Sequence, residues 1–166
     1  LAGDEVSSSK KAVLTPYVEP VLGKLHQLMQ SPRKINIDCA IVAVAAIASI
    51  VEGGFAPYYD MFMPFLKQIV ATAPPELGLV RAKAIECISM LGLAVGKDKF
   101  AADAHGVMEH MAASQVAADD PKAEYITKAW PRICQCLGQD FVPYLQYVMP
   151  GLLASAGKQC DITMTD

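Results

Sequence analysis

The chain has 166 residues, of which 53% are hydrophobic and only 19% charged, with a formal net charge of −3. This charge argues against a dedicated nucleic-acid-binding protein. The high apolar content predicts helices that are buried on more than one side.

The first predicted element is a segment with little apolar content, residues 1–12, which we interpret as a flexible linker or loop. The first helix is predicted to begin at Thr15 and Pro16, where Thr15 would cap the helix and Pro16 suits the first turn. It should stop at Ser31-Pro32. Six further helices are predicted over about residues 36–52, 55–73, 76–95, 99–116, 121–137 and 141–157.

The longest apolar run lies in the second predicted helix, at residues 40–51, and only Ser49 interrupts it. It is well short of the roughly 20 residues that a membrane span needs. We interpret it as a buried core helix and expect no membrane contact.

Two stretches 86 residues apart are nearly alike. Phe-Ala-Pro-Tyr at 55–58 is followed by Met63-Pro64, and Phe-Val-Pro-Tyr at 141–144 is followed by Met149-Pro150. Weaker copies near the halfway points give a period of about 41 to 45 residues, which is typical of stacked helical repeats. We predict an all-α solenoid of about seven helices, in three and a half antiparallel pairs, that forms a right-handed superhelix segment. The predicted units are repeats at about 13–54, 55–97 and 98–139, a partial repeat at 140–157 and a tail at 158–166.

The fourth helix should have a packing seam and an opposite, outward side. The predicted seam residues are Arg81, Ala84, Ile85, Ile88, Leu91 and Val95. The outward side supplies the candidate partner-binding residues Lys83, Glu86 and Met90, with Arg132 as their counterpart in the sixth helix; the alternative is an ordinary solvated helix face.

Matching positions in the second helix, Val42, Ala45 and Ser49, carry no charge, so no continuous acidic groove is expected. Trp130 aligns with the seam and is interpreted as a core residue rather than a stacking platform. Pro131 should kink the sixth helix, unless that helix begins later.

No residue pattern points to catalysis or to a cofactor. The histidines at 105 and 110 lie about 140° apart around a helix, which is poor geometry for a shared metal. Phosphate-loop, GxSxG and HExxH motifs are missing from the sequence. An odd number of irregularly spaced cysteines predicts reduced thiols in an intracellular protein; they are Cys39, Cys87, Cys134, Cys136 and Cys160.

The start of the fourth helix, Val80-Arg81-x-x-Ala84, resembles a HEAT repeat. Residues 55–66 (FAPYYDMFMPFL) and 85–100 (IECISMLGLAVGKDKF) are similar to central HEAT repeats of nuclear import receptors. These are the importin-beta, or karyopherin-beta, superfamily, and the likeness is greatest to its importin-beta-three branch. It covers about residues 13–157.

This resemblance implies a non-catalytic receptor without cofactors that carries protein cargo with basic nuclear-localisation signals. It further implies binding to Phe-Gly pore proteins, cargo release by the GTPase Ran, and a location in the cytoplasm, the nucleus and the nuclear pore. Cargo in such receptors usually contacts the second helix of each pair. The chain would be a central piece without the amino-terminal Ran contacts, and its loop at 115–120 is shorter than the acidic insert of relatives. The alternative function is a structural HEAT scaffold of a phosphatase or chromosome complex.

Overall fold

A computed structural model of the chain describes residues 2–113 and 120–156, with side chains from residue 13 onwards except at 152 and 154–156. These residues form seven α-helices with no strand among them, so the predicted all-α fold is confirmed. The helices are α1 (Ala2–Met29), α2 (Lys34–Val51), α3 (Tyr59–Thr72), α4 (Gly78–Val95), α5 (Lys97–Ala113), α6 (Pro121–Leu137) and α7 (Leu145–Ala156).

The helices stack in two layers. Helices α1, α3, α5 and α7 are the first helices of successive pairs, and α2, α4 and α6 are the second helices. Helix α4 lies at the centre, where it packs against α2, α3, α5 and α6. Each second helix therefore contacts its own first helix and the second helix of the neighbouring pair, as expected for stacked repeats.

Each repeated motif places an aromatic ring in the core. Phe55, Phe100 and Phe141 occupy matching positions, and each is almost completely buried. The rings of Phe55 and Phe62 lie 5.9 Å apart between their centroids. Short 3₁₀ turns carry two of these motifs, at Glu52–Tyr58 and Gly138–Tyr144. Helices α3 and α7 therefore begin four residues later than the sequence suggested.

The predicted start of the first helix is wrong. Helix α1 begins at Ala2, so residues 2–12 are helical and Thr15 and Pro16 lie inside the helix. The segment has few apolar residues, but its Ala, Glu and Lys residues still favour a helix. The tail at 158–166 and most of the 115–120 loop lie outside the described residues.

Two other predicted boundaries are confirmed. The Asp120 side chain accepts a hydrogen bond of 2.9 Å from the backbone N–H of Lys122, and Pro121 follows it at the first helical position. Gly96 ends α4 with a φ of 84°, a backbone conformation that glycine adopts readily.

The apolar run of α2 lies in the core on one side only, so the prediction of a buried core helix is confirmed in part; Val42 and Ile50 are 51% and 43% exposed. Within Lys34–Thr72, an 18-residue window has a mean hydropathy of 2.1, so by length and hydropathy alone the stretch would suit a membrane span. This stretch is two helices with a 3₁₀ turn between them, however. Ala40, Ile41 and Val44 of α2 are completely buried against neighbouring helices.

Gly92 allows α4 and α5 to approach closely. A Cβ atom at this position would lie 2.7 Å from the ring of Phe100, which is itself fully buried.

We expect Gly92→Ala to lower the free energy of unfolding by about 1–3 kcal/mol, because the ring has no space to move into. Urea unfolding would measure the change. Gly106→Ala is the matched control, since no atom lies within 4 Å of a Cβ there, and it should stabilise α5 by up to about 1 kcal/mol. An unchanged midpoint for Gly92→Ala would contradict the packing.

Glu52 adopts a backbone conformation that suits glycine. It ends α2 with φ 51° and ψ −128°. Gly138 ends α6, 86 residues later, with nearly the same angles, 58° and −123°. A side chain in this region costs about 1–3 kcal/mol.

We therefore expect Glu52→Gly to raise the free energy of unfolding by about 1 kcal/mol, after the entropic cost of glycine is subtracted. Thermal or urea unfolding would measure it. Glu52→Ala is the control, because it removes the carboxylate without relieving the backbone. If the alanine variant gained as much stability as the glycine variant, the strain argument would fail.

The two ends of the stack expose apolar side chains. Tyr17, Val21 and Ile50 are exposed at a groove of about 150 Å³ between α1 and α2. At the opposite end, Val142 and Tyr147 are exposed. One end can therefore pack on the other end of a second copy, and such a head-to-tail contact leaves each copy with one end free for a further copy.

We expect the chain to self-associate, so that its mean mass in light scattering rises with protein concentration. Tyr17→Glu should reduce this association and leave the unfolding midpoint unchanged. Met61→Glu, at an exposed position of α3 away from both ends, should not affect it. A clean monomer at high concentration would show that the ends do not associate.

Candidate partner-binding face of the second helices

The charged candidate residues form ion pairs between neighbouring second helices. Lys83 of α4 lies 2.8 Å from the carboxylate of Asp38 in α2, and both side chains are partly buried. Glu86 of α4 lies 3.0 Å from the guanidinium of Arg132 in α6. These pairs connect α2 to α4 and α4 to α6. Lys83, Glu86 and Arg132 therefore have a structural role, and any contact with a partner stays a prediction.

The ion pair of Lys83 is maintained at neutral pH. Its hydrogen bond to Asp38 raises the pKa of the Lys83 ammonium above its ordinary value. Because the lysine pKa is raised, the pair keeps its full contribution as pH rises from neutral to about 10.5 and loses it as pH rises further through the higher folded-state pKa of Lys83. Burial partly opposes this shift.

The remaining candidate positions differ in how far they are buried. Met90 is half-buried and packs against the core. Val42 and Ser49 are exposed as expected, but Ala45 is buried and Ala46 is exposed in its place. One residue along a helix changes the direction of a side chain by about 100°, so Ala46 continues the exposed line of Val42 and Ser49 while Ala45 turns towards the core.

Arg81 makes a contact that the sequence pattern did not predict. It was assigned to the apolar seam, but its guanidinium donates a hydrogen bond to the carbonyl of Ala73, just after the end of α3. A cation is favourable at a helix carboxyl end. Arg81 therefore holds the first and second helices of one repeat together.

Trp130 packs against the core, as predicted, although the alignment was shifted by one residue. Ala129 is completely buried at the position that matches Ala84. Trp130 is half-buried, and its ring meets Phe141 edge to face at 6.0 Å between centroids. Pro131 lies inside α6, which begins at Pro121, so the alternative of a later helix start is wrong.

A second group of polar contacts connects the first helices, and sequence reasoning missed it. Tyr59 of α3 donates a hydrogen bond of 2.8 Å to Asp103 of α5. Lys67 also contacts Asp103, and Asp60 of α3 lies 2.6 Å from Lys99 of α5. Burial, followed by the hydrogen bond to Asp103, raises the pKa of the Tyr59 hydroxyl. The signal that could have found these pairs is their separation in sequence, which is close to the repeat length.

The potentially reactive side chains of the described residues are placed for packing. Cys87 is completely buried, and this burial raises the pKa of its thiol, which keeps it protonated. Cys136 donates a hydrogen bond of 3.2 Å to the carbonyl of Gly92. His105 contacts Tyr144 and lies 3.2 Å from Glu109. Within residues 2–113 and 120–156, no three His, Cys, Asp or Glu residues are placed to hold a metal ion.

Comparison with known proteins supports the repeat assignment. The family described as importin subunit beta-1-like, TPR repeats, matches residues 19–165. TPR units are about 34 residues long and HEAT units about 40–47, so the spacing in this chain corresponds to HEAT units.

Individual relatives agree with this result. Importin subunit beta-3 of Saccharomyces cerevisiae is 32% identical over 161 residues, which is 95% of this chain and 15% of that protein. Crystal structures of Kap121p are similar in fold. The one bound to Pho4p has a TM-score of 0.81 and 33% identity, over 94% of this chain and 15% of Kap121p. The one bound to RanGTP has a TM-score of 0.79 and 34% identity, over 91% and 14%.

The chain thus spans about 15% of the length of the relatives that it matches. Its helical pairs, its repeat spacing and its sequence agree with one family over most of its length. The chain belongs to the importin-beta family, and it forms an α-solenoid of HEAT repeats.

Proposed function

We propose that the chain is part of a nuclear transport receptor that binds other proteins without catalysing a reaction. The observation that supports this most strongly is the match, over nearly the whole chain, to Kap121p in complexes with Pho4p and with RanGTP. The described side chains agree with a binding role, because the ion pairs of Lys83 and Arg132 and the hydrogen bond of Tyr59 join one helix to another.

In the complete protein, this receptor would bind cargo through nuclear-localisation signals and release it when Ran binds. It would pass between cytoplasm and nucleus and contact Phe-Gly proteins at the nuclear pore. These activities belong to a protein several times longer than this chain, and relatives that bind Pho4p and RanGTP support them.

Within this chain we place the partner contacts on the exposed side of the second helices. Met90 is the candidate there that takes no part in an ion pair. A partner can also contact the exposed atoms of three ion-paired side chains while their charges stay paired; these are Lys83, Glu86 and Arg132. Removal of Lys83 or Glu86 would disturb the stacking as well as any partner contact, so mutation of these residues alone does not test binding.

The test uses the full-length protein and immobilised peptides. We expect it to retain a lysine-rich signal peptide better than the same peptide with glutamine at each lysine, and a Phe-Gly repeat better than a Ser-Gly repeat. Ran loaded with GTP should release the bound signal peptide, and Ran loaded with GDP should not. Failure to bind either peptide would overturn the proposal. Binding that ignores the nucleotide on Ran would favour the structural scaffold.

A further inference from the structure

One side of helix α2 is exposed and has no charged residue along its middle turns. Its side chains recur every three or four residues, so they form one line along the helix. They are Ile35, Cys39, Val42, Ala46 and Ser49, and all five are exposed. Ile35 and Val42 are 63% and 51% exposed. At 1.5 Å per residue, the line is about 21 Å long.

The same face continues on helix α4. Leu79 and Leu93 are exposed near its two ends, and Met90 is half-buried between them. The exposed line of α2 and these α4 residues together are called the second-helix face. On α4 the ion-paired side chains of Lys83 and Glu86 lie between Leu79 and Met90, so the exposed apolar line is continuous on α2 and interrupted on α4. An exposed apolar line of this kind is typical of a protein-binding surface.

The charges around this face favour an acidic partner over a basic one. Helices α2, α4 and α6 contain six Lys or Arg residues and three Asp or Glu residues, although the whole chain has a net charge of −3. All three carboxylates form ion pairs within this layer: Asp38 with Lys83, Glu86 with Arg132, and Glu124 with Lys128. A basic peptide could reach a carboxylate here only by displacing a lysine or arginine of the protein.

The amino end of α2 adds positive charge beside the apolar line. Arg33 and Lys34 are exposed and directly precede Ile35. Lys34 donates its hydrogen bond to a neutral group, the carbonyl of Glu76. The amide groups at a helix amino end also favour a negative charge.

We propose that the second-helix face binds a protein segment with apolar side chains and acidic residues at the end that meets Arg33. The apolar side chains would cover Ile35, Val42 and Leu79, and the acidic residues would pair with Arg33. This deepens the proposed function, on which it rests, by naming a second kind of cargo segment, distinct from the lysine-rich signal that the complete receptor would bind, for this part of the receptor.

The test is a fluorescence-anisotropy titration of the chain with labelled peptides of about 14 residues. The first peptide has leucine and valine at every third or fourth position and two aspartates at one end, and it is made in both chain directions. The second has lysines in place of the aspartates. The third keeps the composition of the first and scrambles the order. We expect the aspartate peptide, in one direction, to bind about tenfold more tightly than the other two, a difference of about 1.4 kcal/mol.

Two variants locate the binding. Val42→Asp should weaken binding of the aspartate peptide by about tenfold, because it places a negative charge in the apolar contact with a peptide that is itself negatively charged. Met61→Asp is the matched control, since Met61 has a similar exposure on the other layer, and it should not change binding. Arg33→Glu should weaken binding of the aspartate peptide and strengthen binding of the lysine peptide. Unfolding midpoints of the variants would establish that the fold is intact.

Equal binding of the aspartate and lysine peptides would overturn the proposal, and so would unchanged binding by both Val42→Asp and Arg33→Glu. These outcomes are separate from those for the proposed function. A full-length protein that binds signal peptides and responds to Ran, while the second-helix face ignores the aspartate peptide, would remove only this inference. Peptide binding without any response to Ran would instead remove the transport function.

Discussion

Close contact around helix α4 is the constraint on which the rest of the structure depends. Four other helices surround α4, so each of its sides must allow a neighbouring backbone or ring to come near. The buried positions of α4 include several small residues, among them Ala82, Ala84 and Gly92. At Gly92 the ring of Phe100 and the thiol of Cys136 approach the same turn from two helices. Interiors of proteins are close-packed, and a larger side chain there would separate the layers.

Apolar contact holds this stack together, but it is not directional and does not by itself fix how far one repeat slides along the next. The polar contacts supply that information. Lys83 and Arg132 place the second helices relative to one another, and Asp103 does so for the first helices. A half-buried ion pair contributes modest stability, since desolvation offsets much of the attraction. An ion pair forms only when its two charged groups lie close together. The ion pairs therefore select one position of a repeat along its neighbour among the many positions that apolar contact would allow.

The sequence was sufficient to predict the helices, their pairing and the family, because these depend on the local pattern and on its recurrence. It was insufficient where the answer depends on contacts between repeats. The ion pair of Lys83 with Asp38 depends on how far one repeat is offset along the next, and no local pattern in the sequence gives that offset. The start of α1 was missed for another reason. Burial and helix formation are separate properties, and residues 2–12 have the composition of a helix with little to bury.

The two rows of ion pairs lie in different layers, and this has a mechanical consequence. When a two-layer stack bends, one layer is stretched and the other is compressed. Loss of the Asp38–Lys83 pair frees only the second-helix layer, and loss of the Asp60–Lys99 pair frees only the first-helix layer. High salt screens exposed ion pairs more than partly buried ones. It would therefore loosen the first-helix layer, where Asp60 and Lys99 are exposed, more than the second-helix layer, where Lys83 and Asp38 are partly buried. A bound partner that competes for one row would change the curvature of the solenoid in a defined direction.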